Sequence, residues 1–101
     1  MASSTEYLEY VLDLLQDAPA ITHKKMMGEY LLYSAGVLFG GIYDDRLLLK
    51  DTPAARKAFS RFEVPYEGAK PMLLVDVESP ALIADVVAAM LAELPRVKKR
   101  R

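Results

Sequence analysis

This sequence of 101 residues contains no cysteine and a single histidine, His23. Without cysteine, the chain can form no disulfide, no thiolate zinc site and no cysteine nucleophile. His23 lies beside Lys24 and Lys25, with no second imidazole for a metal, so we interpret it as a surface or strand-end residue rather than a catalytic one. The absence of cysteine fits the reducing cytoplasm, which is the location that we expect.

The sequence also lacks a long apolar segment. Its longest stretches without a charge fall short of the roughly 18 apolar residues that indicate a transmembrane helix. The first residues, MASSTE, have neither the basic region nor the apolar run of a secretory signal. We therefore expect no interaction with a membrane.

No motif for phosphate or metal binding is present. The five glycines fit neither the P-loop nor the dinucleotide-binding spacing. Asp44 and Asp45 separate two predicted strands, as hairpin-turn residues do, and Asp51 is placed to cap a helix. Asp76 and Glu78 could form a carboxylate pair on one strand face, but a solvated strand end is the favoured interpretation. The sequence therefore predicts no catalytic, metal or cofactor site, and a protein that is not an enzyme.

The charge is unevenly distributed along the chain. Five of the 13 basic residues occupy the last six positions, namely Arg96, Lys98, Lys99, Arg100 and Arg101. Residues 1–95 carry eight basic and 14 acidic side chains, a net charge of −6. We predict one domain over residues 1–95 and a basic, disordered tail over residues 96–101. The tail is either a solubilising end or a weak electrostatic anchor for nucleic acid or an acidic partner.

Two amphipathic helices are predicted near the ends of the domain. Apolar residues recur at helical spacing between Thr5 and Gln16, namely Leu8, Val11, Leu12 and Leu15. Ser3 and Glu6 have the spacing of a capping box at the start of this helix. The second helix begins at Ser79-Pro80, carries an apolar stripe and ends before Pro95.

Short strands are predicted between these helices. The four runs rich in apolar, β-branched and aromatic residues are Ile21–Met27, Glu29–Tyr33, Val37–Tyr43 and Arg46–Lys50. The connections are too short for parallel crossovers, so they predict an antiparallel meander. Gly40-Gly41 inside the third run indicates a bulge or close packing against a side chain.

The remaining segments complete the predicted fold. A short helix begins near Thr52-Pro53, with Asp51 or Thr52 as its cap, and a loop or edge strand over residues 63–69 precedes a strand over Pro71–Val77. The order predicts an α+β protein with an antiparallel meander sheet of about five to six strands. We expect the N- and C-terminal helices to pack on one face of this sheet, with the short helix inserted. The residues expected to meet in the core are Leu12, Phe39, Leu47, Val87 and Leu91.

The segment KMMGEYLLYSAGVLFGGIYDDRLLLK resembles the N-terminal domain of the TfoX/Sxy family of bacterial competence regulators. The positions that carry the resemblance are Lys25, Met26, Gly28, Tyr33, Gly36, Val37, Phe39, Asp45, Leu47, Leu49 and Lys50. Met27 replaces the usual aromatic residue, and Glu29 stands where a second glycine is frequent. The first helix, Phe59, Tyr66-Glu67-Gly68 and the closing helix also fit, so the resemblance covers nearly the whole chain.

The resemblance implies an α+β fold and a non-enzymatic role in transcriptional regulation of DNA uptake genes. That role would be exerted through a protein partner in the transcriptional machinery. Longer family members carry a second, helical C-terminal domain, which this sequence does not include. The alternative function is weak nucleic-acid binding through the basic tail. A homodimer is also expected, because a small meander leaves open sheet edges and the six tyrosines suit an interface.

Overall fold

The computed structural model describes residues 4–94, which form three helices and one six-stranded sheet. The elements are α1 (Thr5–Leu14), β1 (Ile21–Met26), β2 (Glu29–Ser34), β3 (Val37–Ile42), β4 (Leu47–Leu49), α2 (Pro53–Ala58), β5 (Phe62–Glu63), β6 (Met72–Leu74) and α3 (Pro80–Glu93). The strand order is β1-β2-β3-β4-β6-β5, and all neighbours are antiparallel. The predicted α+β class is confirmed.

The start of α1 differs from the predicted capping box. Ser4 is the N-cap, and its Oγ accepts a hydrogen bond from the backbone N–H of Tyr7 at 3.1 Å. The prediction that Ser3 caps the helix is wrong, because Ser4 occupies the N-cap position. Glu6 is therefore the second helical residue, and not the third as a capping box requires. The other two helices begin as predicted: Thr52 caps α2 and Ser79 caps α3, each followed by proline.

All three hairpins of the meander are closed by two-residue turns with positive φ. The turn residues are Met27 (53°) and Gly28 (85°), Ala35 (51°) and Gly36 (80°), and Asp44 (53°) and Asp45 (55°). Positive φ at both central positions is typical of type I′ turns, whose twist matches that of the flanking strands. The interpretation of Asp44-Asp45 as turn residues is therefore confirmed.

The predicted irregularity in β3 is a bulge. Leu32 pairs with Gly40, but the next residue, Tyr33, pairs with Leu38, so Phe39 is the extra residue in β3. The register shift bends the strand and directs the Phe39 ring into the core, where it is fully buried.

The hydrophobic core lies between the helices and one face of the sheet. The side chains that are almost completely buried there include Val11, Leu32, Phe39, Ile42, Leu47, Leu49, Leu73, Ile83, Val87 and Met90. The prediction is confirmed for Phe39, Leu47 and Val87. It is wrong for Leu12 and Leu91, which are only half-buried because the faces of α1 and α3 that point inward are centred on other residues.

The strands after α2 are shorter than predicted. The strand expected over Pro71–Val77 contains only Met72–Leu74, and the edge strand is Phe62–Glu63. The intervening chain forms a loop over residues 64–71. Nowhere in residues 4–94 does a helix combine the length and the apolar composition needed to span a bilayer.

Candidate functional site

One face of the sheet carries the helices, and the opposite face carries none. The pairing register identifies the residues of each face, because cross-strand partners share a face. A row of successive partners crosses five strands, namely Lys24, Leu31, Gly41, Leu48 and Leu74. None of these residues belongs to the core beneath the helices. We call this helix-free side the open face.

A cleft of about 560 Å³ lies on the open face. Leu31 of β2, Leu38 of β3 and Met72 of β6 contribute apolar side chains to it, and all three are half-buried. One wall is formed by the loop over residues 64–71, which contributes Tyr66 and its neighbours. We call this concavity the open-face cleft.

Arg46 attaches the wall of the cleft to the β3–β4 hairpin. Its Nε donates to the carbonyl oxygen of Tyr43 at 3.1 Å, and its Nη1 lies 3.0 Å from Oε1 of Glu63. Its Nη2 donates to the carbonyl oxygens of Val64 and Pro65 at 3.3 and 3.4 Å. One half-buried guanidinium therefore connects the hairpin, β5 and the loop, which holds the wall in place.

Two tyrosines stand side by side at the cleft. The rings of Tyr43 and Tyr66 lie 6.1 Å apart at an angle of 53°. Tyr43 packs against Gly41, where an added Cβ would lie 2.7 Å from the ring, and its burial raises the pKa of its phenol. Tyr66 is 63% exposed, so its ring remains available to a ligand.

The carboxylates near the cleft already have basic partners. Oδ1 and Oδ2 of Asp51 accept from Nε and Nη2 of Arg56 at 2.6 and 2.8 Å, and these hydrogen bonds hold the pKa of Asp51 below its usual value. Glu63 lies between Arg46 and Arg61, at 3.0 and 3.1 Å. Asp51 and Glu63 are therefore each offset by a guanidinium.

Three lysines of the open face have no such partner. Lys50 and Lys70 line the cleft, and Lys24 stands opposite Leu31 on the same face. Within residues 4–94, none of the three lysines forms an ion pair. The open face therefore presents three lysine ammonium groups around an apolar floor. Glu29 lies on the same face, where its Oε1 accepts from the backbone N–H of Asp44 at 3.1 Å.

A second, smaller concavity of about 430 Å³ lies on the helix side. It contains Asp76 and Glu78, the candidate carboxylate pair, and both are exposed. The Tyr10 hydroxyl donates to Oε2 of Glu78 at 2.5 Å, and this hydrogen bond raises the pKa of Tyr10 to about 12. Glu78 therefore serves as the hydrogen-bond acceptor of a tyrosine.

The structure does not bring the other candidate residues together into a site. Oδ1 of Asp45 accepts from the backbone N–H of Ser4 at 2.9 Å, which links the hairpin turn to the start of α1. His23 is exposed on β1, with its ring edge-on to Tyr30 at 6.0 Å. In the described part of the chain, no three carboxylate or imidazole side chains cluster as metal ligands would. The predicted tail site, comprising Arg96, Lys98, Lys99, Arg100 and Arg101, lies outside the described residues.

The sequence analysis did not identify the open-face cleft. One signal for it was available in the run Tyr30–Tyr33, which is apolar on both faces of β2. A strand covered on one side only alternates apolar and polar residues, so an apolar second face indicates that something else contacts it. Lys50, Tyr66 and Lys70 gave no comparable signal, because they are far apart in the sequence.

Most of the residues that line the cleft lie in a segment of the chain that matches a known protein family. The profile described as the TfoX N-terminal domain matches residues 13–82, which include Leu31, Leu38 and Lys70. The chain is also similar to an uncharacterized 12.7 kDa protein encoded in the trpE 5′ region of Spirochaeta aurantia. The two are 34% identical over 105 residues, which cover 100% of this chain and 91% of the relative. No solved structure gives a significant match.

Proposed function

This chain belongs to the TfoX N-terminal domain family, and on that basis we propose that it is a non-enzymatic protein-interaction module of the cytoplasm. We propose further that it acts in transcriptional regulation of DNA uptake genes, through a partner in the transcriptional machinery. The partner would be bound on the open face, since the helices cover the opposite face of the sheet.

The observation that carries this proposal is the composition of the open-face cleft. Its lining consists of aliphatic, proline and tyrosine side chains together with Lys50, Lys70 and Asp51. The lining contains no serine, threonine or histidine, which are common catalytic nucleophiles and general bases. Its one carboxylate is engaged by Arg56. This composition supports binding rather than bond-making chemistry.

The sheet edges do not favour the homodimer predicted from the sequence. The edge strand β1 carries Lys24 and Lys25 side by side, and two such edges would repel each other on pairing. The opposite edge strand, β5, has only two residues. Because the edges are poorly suited to pairing, a homodimer would have to use another surface such as the open face. The experiments below distinguish this outcome.

The proposal is tested by deleting the gene and measuring transcripts of DNA uptake genes in the organism that encodes it. We expect the transcripts to fall and to recover when wild-type protein is supplied. Tyr66→Ser, which removes an exposed ring at the cleft, should fail to restore them. Tyr10→Ser, which alters a 40% exposed tyrosine on the helix side, is the matched control and should restore them. Unchanged transcripts after deletion would contradict the regulatory role.

A further inference from the structure

The open-face cleft has a charge pattern that specifies the chemistry of its partner. We infer that it binds an acidic segment of a protein, with an apolar side chain in the cleft and carboxylates on Lys24, Lys50 and Lys70. This inference rests on the proposed function, because it names the partner of the same surface.

The electrostatic part of the argument concerns which charges are free to act. Asp51 and Glu63 are neutralised by arginines at 3.1 Å or less, whereas the three lysines make no ion pair within residues 4–94. The three lysines therefore offer positive charge to a ligand at the cleft. Complementary charge raises the association rate and rejects partners of like charge, so a carboxylate-rich segment is favoured over a basic one.

The apolar part of the argument concerns the surface available for burial. Leu31, Leu38 and Met72 are half-buried, and the Tyr66 ring is mostly exposed. Covering such surface contributes about 25 cal/mol per Å², and tyrosine and methionine are enriched where proteins meet. A purely acidic segment would leave this surface exposed to water. The partner segment therefore needs at least one leucine, phenylalanine or similar anchor.

The shape of the cleft favours a polypeptide over a small molecule. Sites for small molecules enclose most of the ligand surface. Here one wall is an exposed loop, with Tyr66 at its side and Lys70 at its end, and the floor is a sheet surface that continues towards β1. An open groove of this kind suits an extended or helical segment that continues beyond it on either side.

Nucleic acid is the less suitable occupant of the same groove. Single strands are held by stacking bases on exposed aromatic rings, with phosphates along a basic track. Tyr43 is packed against Gly41 and Tyr66, so Tyr66 alone presents an exposed ring, and the floor is aliphatic. Three lysines provide few phosphate contacts along a nucleic-acid strand.

The test uses a fluorescent peptide in which aspartate and glutamate alternate with leucine and phenylalanine. Its Kd for the full chain is measured by anisotropy at about 20 mM and about 300 mM salt. We expect saturable binding that weakens with salt. Lys50→Glu combined with Lys70→Glu should weaken binding at low salt by about ten-fold or more, because attraction becomes repulsion at the carboxylates.

The matched control reverses the same amount of charge elsewhere. Lys57 is exposed on α2, on the helix side of the sheet, so Lys57→Glu combined with Lys25→Glu gives the same net charge without altering the cleft lysines. Lys25 pairs with Tyr30, whose side chain lies in the core, and therefore also faces the helix side. We expect the control pair to change the Kd by less than about two-fold at the higher salt concentration, where long-range repulsion is screened.

Several outcomes would overturn the inference. The two variants are the cleft pair, Lys50→Glu with Lys70→Glu, and the control pair, Lys57→Glu with Lys25→Glu. If both weakened peptide binding equally at the higher salt concentration, the attraction would be non-specific. Binding of a lysine-for-acid version of the peptide, or of single-stranded DNA in its place, would assign the cleft to another ligand. A mass that rises with concentration in light scattering, and falls with the cleft pair, would assign it to a second copy of this chain.

The failure of this inference can be distinguished from failure of the proposed function. The cleft pair is introduced into the complementation assay with DNA uptake transcripts as the readout. Suppose that deletion lowers the transcripts and that the protein carrying both Lys50→Glu and Lys70→Glu restores them fully. The regulatory proposal then stands, and the acidic-segment inference fails. If deletion itself has no effect on the transcripts, the regulatory proposal fails whatever the peptide does.

Discussion

Two adjacent glycines in β3 are required by close approaches from different groups. At Gly40 an added Cβ would lie 2.3 Å from the carbonyl oxygen of Leu48 and 3.1 Å from Cα of Leu49. At Gly41 it would lie 2.7 Å from both the Tyr43 ring and the carbonyl oxygen of Tyr30 in β2. The first contact is with backbone of the neighbouring strand, which cannot yield without breaking the β3–β4 pairing.

Gly40→Ala is therefore expected to lower the free energy of unfolding by about 3 kcal/mol or more, at the upper end of the cost of overpacking. Urea denaturation followed by circular dichroism measures the change. Gly68→Ala is the control: its φ is +88° but nothing lies within 4 Å of the added Cβ, so only backbone strain of about 1–2 kcal/mol is expected. A Gly40→Ala cost no larger than the control would contradict the close approach of the Leu48 carbonyl to Gly40.

The Tyr10 phenol makes stability depend on alkaline pH. Its hydrogen bond to Glu78 raises the pKa from 10.0 to about 12 in the folded protein. A pKa raised on folding contributes stability that is complete below pH 10 and is lost as the pH rises towards about 12. Tyr10→Phe should therefore flatten the decline of the urea midpoint over this interval. Parallel declines in the two proteins would show that the hydrogen bond contributes nothing.

At the scale of elements, the β1–β2 turn contains a residue poorly suited to its backbone. Met27 has φ of 53° and is 95% exposed, so it adopts a left-handed conformation without burying its side chain. Asparagine tolerates this conformation far better, and Asn-Gly is a preferred type I′ pair.

Met27→Asn should therefore raise the free energy of unfolding, by about 0.5–1 kcal/mol. Thermal unfolding provides the measurement. Met26→Asn is the control, because Met26 lies within β1, where asparagine is disfavoured, and should not stabilise. If both substitutions stabilised equally, the effect would come from surface polarity and not from the turn.

Helix α3 shows how the buried face determines the cost of truncation. Met90 is completely buried in the core, whereas Leu91, the next residue, is half-buried. Met90→Ala should cost about 2–5 kcal/mol, the usual range for truncating a buried side chain, and Leu91→Ala clearly less. Chemical denaturation of both variants tests the order, and a larger cost at Leu91 would contradict the helix orientation.

At the scale of the whole molecule, the charge asymmetry separates the two functions considered for this chain. Residues 1–95 carry a net charge of −6, and five basic residues follow within positions 96–101. A body of net negative charge opposes binding to phosphate backbones. Any affinity for duplex DNA is therefore expected to come from the tail and to be non-specific.

Removing residues 98–101 should abolish such binding, because four of the five tail charges are lost. If all five contact phosphates, log K should fall with log salt at a slope of about −4.5. Titration of intact and truncated protein with duplex DNA at two salt concentrations measures this. Equal binding by the two proteins, or none by either at low salt, would show that the tail is not a nucleic-acid anchor.

The sequence by itself determined the features that depend on neighbouring residues. Thr52 and Ser79 cap their helices because a side-chain oxygen reaches a backbone N–H three residues later. Asp44-Asp45 closes a hairpin because both residues tolerate positive φ. These interactions span a few residues, so their local pattern was enough to place most of the helices, the strands of the meander and the α+β class.

Only the tertiary structure decided which distant residues meet. The insertion of β6 between β4 and β5 brings the loop over residues 64–71 onto the open face, where Arg46 holds it. Tyr66 and Lys70 thereby join Leu31 and Lys50 around one cleft. No local pattern encodes this arrangement, because it depends on the path of the chain between the elements. For the same reason the buried faces of α1 and α3 are set by contacts across the core, so Leu12 and Leu91 lie at its margin although they share the helical spacing of its buried residues.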